Sequence, residues 1–208
     1  MKTVLRTILQ TVTLVGCLLS CIEAANADRK AFLIGISDYE SLPQLKNPSW
    51  DIAAIRQKLE SVGFKTTAVT SKAQTAQKQL LSSWGVFLKT LNKGDEVVVY
   101  YSGHGVDIRG ENLLVPSDSP KADDIIGESL LRSSLISLRA LVTDLEDRQL
   151  MIQVWIVDAC RENPFINAGK AIGAKGGLHK IEPEIGSFIF LSAGYNQIAK
   201  DRLPEDSR

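Results

Sequence analysis

The segment 96–105, EVVVYYSGHG, decides the fold class of this chain. It joins a short apolar run, which is typical of a buried strand, to a histidine flanked by glycines, His104. The segment 151–161, MIQVWIVDACR, has the same plan, with an apolar run that ends directly before Asp158 and Cys160. Because reacting groups collect at the carboxyl ends of parallel strands, we expect His104 and Cys160 to face one crevice.

The rest of the chain alternates between strand-like and helix-like segments. Strands are predicted at 30–36, 64–70, 96–101, 151–157 and 187–193, and a small hairpin at 106–115. Helices are predicted at 49–62, at 73–91 and from Ser133 or Ser134, as cap, to Asp147. This alternation predicts a mostly parallel sheet with helices on both faces, an α/β/α sandwich.

A cysteine and a histidine at such strand ends can form a catalytic dyad. A thiol becomes a thiolate beside a base, and an imidazole can take the thiol proton and later protonate a leaving amine. Gly103 and Gly105 would leave a loop without side chains, so that a backbone amide could approach a substrate carbonyl. An isolated cysteine is also compatible with a buried, inert thiol. The strand end and Arg161 beside it favour catalysis.

The two motifs, Ser-Gly-His-Gly at 102–105 and Asp-Ala-Cys-Arg at 158–161, resemble those of caspase-like cysteine peptidases, in particular their metacaspase and bacterial branch. The spacing between histidine and cysteine is similar to that of caspases. The resemblance extends over about residues 30–201. Further matching segments are 31–36, 45–48 with Asp51, 110–116 and 163–165.

The resemblance implies a role for each matching residue. Cys160 would be the nucleophile and His104 the general acid and base, and the backbone amides of Gly105 and Cys160 would form the oxyanion hole. Asp158 and Asp51 would bind a basic side chain in the S1 pocket, which implies cleavage after Arg or Lys. Two alternatives remain open: Asp51 as a residue favoured at a helix start, and Asp158 as a turn cap.

Two other functions remain open beside a cysteine endopeptidase. One is a catalytically silent caspase-like binding or scaffold module. Family members continue with further elements beyond the strand that matches 187–193. Residues 28–208 could therefore be a peptidase domain shortened at its C-terminal end. The other is a different thiol enzyme, such as an acyl transferase. The 24 basic and 24 acidic residues cancel, so nucleic acid is not expected as a partner. The resemblance to caspase-like peptidases implies protein or peptide substrates with Arg or Lys at the cleavage site.

Residues 1–27 have the features of a secretory signal peptide, with Lys2 and Arg6 before an apolar stretch and small residues before Asp28. We expect an exported protein, periplasmic or secreted, with cleavage before Asp28. The alternative is a lipoprotein tethered to a membrane through Cys21. An uncleaved anchor is the least favoured reading, since the apolar run is shorter than the ~20 residues of a membrane span.

No cofactor or metal is expected. The mature chain would offer only Cys160, His104 and His179 as soft ligands, without the spacing of a zinc site. Some caspase-like peptidases are activated by calcium. In this chain, an acidic loop with Asp118, Asp123 and Asp124 could bind calcium, although clustered carboxylates in a loop are more often simply solvated.

Overall fold

The computed structural model describes residues 27–121, 124, 127–160, 164–165, 178 and 186–191, except for the side chain of Cys160. These residues contain seven strands in one sheet. The strands are β1 Arg29–Gly35, β2 Lys65–Val69, β3 Glu96–Ile108, β4 Glu111–Leu114, β5 Ile136–Ser137, β6 Ile152–Cys160 and β7 Ser187–Leu191. The helices are α1 Pro48–Ser61, α2 Lys72–Thr75, α3 Gln77–Lys89, α4 Glu128–Ser133 and α5 Leu138–Glu146.

The sheet has a parallel part and an antiparallel part, and β3 belongs to both. The parallel strands lie in the order β2, β1, β3, β6, β7. Past His104, β3 pairs instead with β4, which pairs with β5, and both of these pairings are antiparallel. The mostly parallel α/β sheet predicted from the sequence is therefore confirmed.

Helices cover both faces of the sheet. On one face, α1 contributes Ile52 to a cluster with Leu33, Val98 and Tyr100. On the other face, α3 and α5 pack on a larger core that includes Phe32 and Trp155. Each helix buries an apolar stripe that would otherwise face water, which is the main source of stability in such layers. The expected α/β/α arrangement is thus present.

Strand β3 is longer than the sequence predicted. We expected a strand at 96–101, a glycine-rich loop and a separate hairpin strand at 106–108, but the backbone is extended from Glu96 to Ile108. The hairpin itself is confirmed, with Arg109 and Gly110 at φ values of 54° and 81° in the turn. The strand continues through the glycines because their lack of side chains allows close packing, of Gly103 on Tyr39 and Tyr101 and of Gly105 on Ala159.

Two helix predictions were wrong. The helix expected at 73–91 is interrupted at Ala76, which has an extended ψ of 142° between α2 and α3. The expected cap at Ser133 or Ser134 is at Ser137, whose hydroxyl accepts from the Ala140 amide. The hydroxyls of Ser133 and Ser134 donate instead to carbonyls of the preceding turn, so they end α4.

The two predicted targeting features lie outside the described residues: the signal segment and the lipidation site at Cys21. Within the part of the chain that is described, no helix combines the length and the apolar character needed to cross a membrane.

Candidate active site

The sheet brings His104 and Cys160 together. They are opposite each other in the parallel pairing of β3 and β6, as the last pair of that ladder. Neighbouring strands lie ~4.8 Å apart. The backbone therefore places both predicted catalytic residues at the carboxyl edge of the sheet, next to the point where β3 turns to its antiparallel partner.

The imidazole of His104 is almost fully buried, with 4% of the residue exposed. Its Nε2 lies 2.9 Å from the carbonyl oxygen of Pro43. A carbonyl oxygen can only accept, so Nε2 carries the hydrogen in this contact. In the neutral ring, Nδ1 is then the nitrogen without a proton, which is the protonation state that a base at Nδ1 requires.

Two tyrosines hold the backbone and ring of His104. The His104 amide donates to Tyr39 Oη at 2.8 Å, and Tyr101 Oη donates to the His104 carbonyl at 2.5 Å. The Tyr39 ring also packs on the imidazole, with 4.6 Å between ring centroids and a tilt of 48°. Both tyrosines are buried. The position of His104 is therefore fixed from the backbone and from one ring face.

The glycines beside His104 serve packing within a strand and do not form the open loop that the sequence suggested. A Cβ on Gly103 would lie 2.7 Å from Tyr101 Oη and 2.9 Å from Tyr39 Oη. A Cβ on Gly105 would lie 2.9 Å from Ala159 Cβ on the adjacent strand. Gly105 thus stands next to the residue that precedes Cys160, and the missing side chains allow β3 and β6 to stay in close contact up to the site.

Asp51 reaches the same edge of the sheet from the first turn of α1. The start of α1 lies close to the end of β1 because Gly35 has no side chain: a Cβ there would lie 2.5 Å from Ile52 Cγ1. Asp51 Oδ2 accepts a hydrogen bond from Ser102 Oγ at 3.2 Å. The carboxylate therefore faces β3, two residues before His104, as well as occupying a favourable place at a helix start.

Asp158 joins Asp51 around Ser102 and Tyr100. It is opposite Ser102 in the β3–β6 pairing. The pKa of Tyr100 is raised far above its usual range, first by burial and then by the charges of Asp51 and Asp158, while a hydrogen bond with Ser102 acts in the opposite direction. Both carboxylates thus act on one phenol, and the two predicted S1 residues lie in one acidic cluster.

A protein-family model described as the caspase domain matches residues 28–206 of this chain. The chain belongs to the caspase domain family. This family of cysteine peptidases fits the α/β sheet and the pairing of a histidine with a cysteine at its carboxyl edge.

Among curated proteins, this caspase domain is similar to mucosa-associated lymphoid tissue lymphoma translocation protein 1 from Homo sapiens and to its homologue from Mus musculus. Each is 26% identical over 135 residues, which cover 65% of this chain and 15% of the relative. The chain thus matches a small part of these longer proteins. A crystal structure of a protein from Geobacter sulfurreducens is similar with a TM-score of 0.49 and 17% identity, covering 64% of this chain and 50% of that one.

Sequence reasoning missed five residues that surround the predicted site: Tyr39, Pro43, Tyr100, Tyr101 and Ser102. Ser102 and Tyr100 could have been found, because every second residue of a strand shares a face and both lie on the face of His104. Tyr39 and Pro43 belong to a loop without regular secondary structure, so no sequence pattern predicts their positions. Pro43 also acts through its backbone carbonyl, a group that every residue has.

Calcium remains a prediction for the acidic loop. Asp118 Oδ1 accepts from the Gln77 amide at 2.9 Å, where α3 begins. Asp124 is exposed, and Asp123 lies outside the described residues. Over the described residues, no three His, Cys, Asp or Glu side chains converge in a way that could hold a metal ion. The contact with Gln77 gives Asp118 a structural role at a helix start.

Proposed function

We propose that this protein is a cysteine endopeptidase that hydrolyses peptide bonds after Arg or Lys, with Cys160 as nucleophile and His104 as general acid and base. The observation that carries the proposal is the pairing of His104 with Cys160 in the β3–β6 register. It is supported by membership of the caspase domain family and by the acidic cluster of Asp51 and Asp158. Asp158 lies two residues before Cys160 on β6, and Asp51 accepts a hydrogen bond from Ser102, two residues before His104 on β3.

The first half of the reaction forms an acyl-enzyme. Nδ1 of His104 takes the proton of the Cys160 thiol, and the thiolate attacks the carbonyl carbon of the substrate. The negative charge that develops on the carbonyl oxygen is stabilised by the backbone amides of Gly105 and Cys160. His104 then gives its proton to the leaving amine, the C–N bond breaks, and a thioester with Cys160 remains.

The second half returns the enzyme to its starting state. His104 takes a proton from water, and the hydroxide attacks the thioester carbon. The C–S bond breaks, the new carboxyl product leaves, and the proton on His104 returns to the sulfur. The Pro43 carbonyl keeps Nε2–H in place during both halves, so that Nδ1 carries out each proton transfer.

The proposed specificity rests on Asp51 and Asp158. Two carboxylates around Ser102 favour a cation, and a guanidinium can meet them with several charge-assisted hydrogen bonds. An Asp side chain in the same place would face like charges at close range. We therefore propose Arg and Lys, and exclude Asp, as the residue before the scissile bond.

The test is hydrolysis of matched fluorogenic peptides that end in Arg, Lys or Asp, with calcium or with a chelator. Turnover after Arg or Lys should disappear in Cys160→Ala and in His104→Ala, while both variants keep the wild-type circular dichroism spectrum. An Arg chloromethylketone should label the wild type and leave Cys160→Ala unlabelled. If the folded wild-type protein cleaves none of the peptides and is not labelled by the chloromethylketone, the peptidase proposal is contradicted and a binding module is favoured.

A further inference from the structure

The loop between β1 and α1, residues 36–47, carries two contacts that fix the His104 ring. The Tyr39 ring packs on the imidazole, and the Pro43 carbonyl meets Nε2. The loop has no helix or strand of its own. Its backbone shape therefore depends on individual hydrogen bonds and on the burial of a few side chains.

Gln44 closes this loop with its side chain. Its Oε1 accepts from the Tyr39 amide at 2.9 Å, and its Nε2 donates to the Tyr39 carbonyl at 2.7 Å. One amide side chain thus satisfies both backbone groups of Tyr39, much as a neighbouring strand would. Pro43 is the residue next to Gln44, so this clamp joins the two parts of the loop that contact His104.

Other bonds hold the outer parts of the loop. The Glu40 amide donates to the Ser117 carbonyl at 2.8 Å, and the Leu45 amide donates to the Ser37 carbonyl at 3.0 Å. The first contact attaches the loop to the segment after β4, and the second joins the two ends of the loop. The Gln44 clamp instead fixes the distance between Tyr39 and Pro43 within the loop.

We propose that Gln44 is a positioning residue for His104: by clamping Tyr39, it holds the Pro43 carbonyl in line with Nε2 and so selects the Nε2–H form of the imidazole. The importance of this form for catalysis rests on the proposed function, in which Nδ1 acts as the base. The selection itself is a property of the folded chain and can be measured without substrate.

The size of the effect follows from the hydrogen bond that the Pro43 carbonyl makes. A typical intramolecular hydrogen bond shifts an equilibrium about two- to tenfold. Gln44→Ala should therefore raise the ratio of the Nδ1–H to the Nε2–H form of neutral His104 by about that factor. Gln44→Glu keeps an acceptor for the Tyr39 amide but loses the donor to the Tyr39 carbonyl, so it should show an increase too.

The experiment is NMR on protein with ¹⁵N-labelled histidine, in which two-bond correlations report the two ring forms. The chain has two histidines, and His179→Gln assigns the spectrum. Gln57→Ala is the matched control, since Gln57 is exposed on the middle of α1. Thermal unfolding shows whether each variant is folded.

The proposal is supported if both Gln44 variants raise the Nδ1–H share while Gln57→Ala does not. A wild-type ratio in folded Gln44→Ala and Gln44→Glu would overturn it. The outcome is separate from that of the peptidase: an altered ratio in a protein that cleaves no peptide would retain the clamp and reject the proposed function. If cleavage occurs, kcat should fall in Gln44→Ala with little change in KM, since the proposed effect of Gln44 is on the ring of His104.

Discussion

His104 and Cys160 are opposite each other on adjacent parallel strands, although 56 residues separate them in the chain. Their proximity is therefore a consequence of strand register, and it does not require a particular loop conformation. A shift of one residue between β3 and β6 would turn every following side chain to the other face. The same register also places Asp158 opposite Ser102, so that the dyad and the acidic cluster form together.

Neutralising either carboxylate of the acidic cluster should weaken selection of a basic side chain. We expect Asp51→Asn and Asp158→Asn each to lower kcat/KM for an Arg peptide by about tenfold to a hundredfold, since a hydrogen bond to a charged group contributes about 1.5–3 kcal/mol. Steady-state kinetics with Arg peptides measures this effect. Asp147→Asn, at the exposed end of α5, is the control and should behave as wild type.

The double variant distinguishes a shared pocket from two separate effects. If Asp51 and Asp158 contact one guanidinium, the loss in Asp51→Asn with Asp158→Asn should differ from the sum of the single losses. Unchanged kcat/KM in both single variants would show that neither carboxylate binds the substrate.

Gly103→Ala should destabilise the protein and reduce activity. The new Cβ would lie 2.7 Å from Tyr101 Oη and 2.9 Å from Tyr39 Oη, so both phenols would have to move from His104. Overpacking of this kind costs about 1–3 kcal/mol. Urea unfolding measures the loss, and Gly85→Ala in α3, where a Cβ meets nothing within 4 Å, should instead stabilise by about 0.5–1 kcal/mol.

Removing one phenol oxygen tests the cause of that loss. Tyr101→Phe removes the closest contact of the new methyl group, but it also removes the hydrogen bond to the His104 carbonyl. Gly103→Ala should therefore cost less stability in the Tyr101→Phe background than in the wild type. Equal stability of Gly103→Ala and wild type would contradict the close packing at this position.

The dyad could be predicted from the sequence because each half directly follows an apolar run, and such runs determine where parallel strands end. The same signal did not define the length of β3, since Gly103 and Gly105 are typical of loops and yet lie in a strand. The loop contacts of Tyr39, Pro43 and Gln44 could not be predicted. They depend on the three-dimensional path of a loop whose sequence has no periodic hydrophobic pattern. Two of these contacts also involve backbone atoms, which every residue has.

The buried pair of Lys30 and Asp95, at the opposite edge of the sheet, should make stability depend on acid pH. Asp95 is fully buried, and Lys30 Nζ lies 2.6 Å from its Oδ2. Burial alone would raise the pKa of Asp95, but hydrogen bonds from Lys30 and from the Asn92 and Asp28 amides lower it below its ordinary value. The stabilisation is therefore present above about pH 4 and is lost as the pH falls through the pKa of the folded state.

Asp95→Asn should cost about 3 kcal/mol at pH 7, because Lys30 would remain buried beside an uncharged side chain. It should also flatten the decline in stability below pH 4. Urea midpoints between pH 7 and pH 2.5 measure both effects. Lys30→Met should start the decline at a higher pH, since Asp95 would lose its cation. If the urea midpoint falls equally between pH 4 and pH 2.5 in wild type and Asp95→Asn, the Lys30–Asp95 pair is not the source of this pH dependence.

Cleavage of the expected signal peptide would create a new positive charge beside the same Asp95 carboxylate. The Asp28 amide donates to Asp95 Oδ1 at 2.9 Å. Cleavage between Ala27 and Asp28, as proposed from the sequence, would turn this amide into an α-ammonium next to a buried carboxylate. A charge-assisted bond is about twice as strong as a neutral one. Protein that begins at Asp28 should therefore be more stable, by about 1 kcal/mol, than protein that retains Ala27.

This gain should be present at pH values where the α-amino group is charged, and it should disappear as that group loses its proton at higher pH. Asp95→Asn should abolish the difference between the two forms. Mass spectrometry of the protein isolated from cells that produce the full chain identifies its first residue. A lipid-modified Cys21 would instead show that Asp28 keeps its amide, and equal stability of the two forms would show that the new terminus does not pair with Asp95.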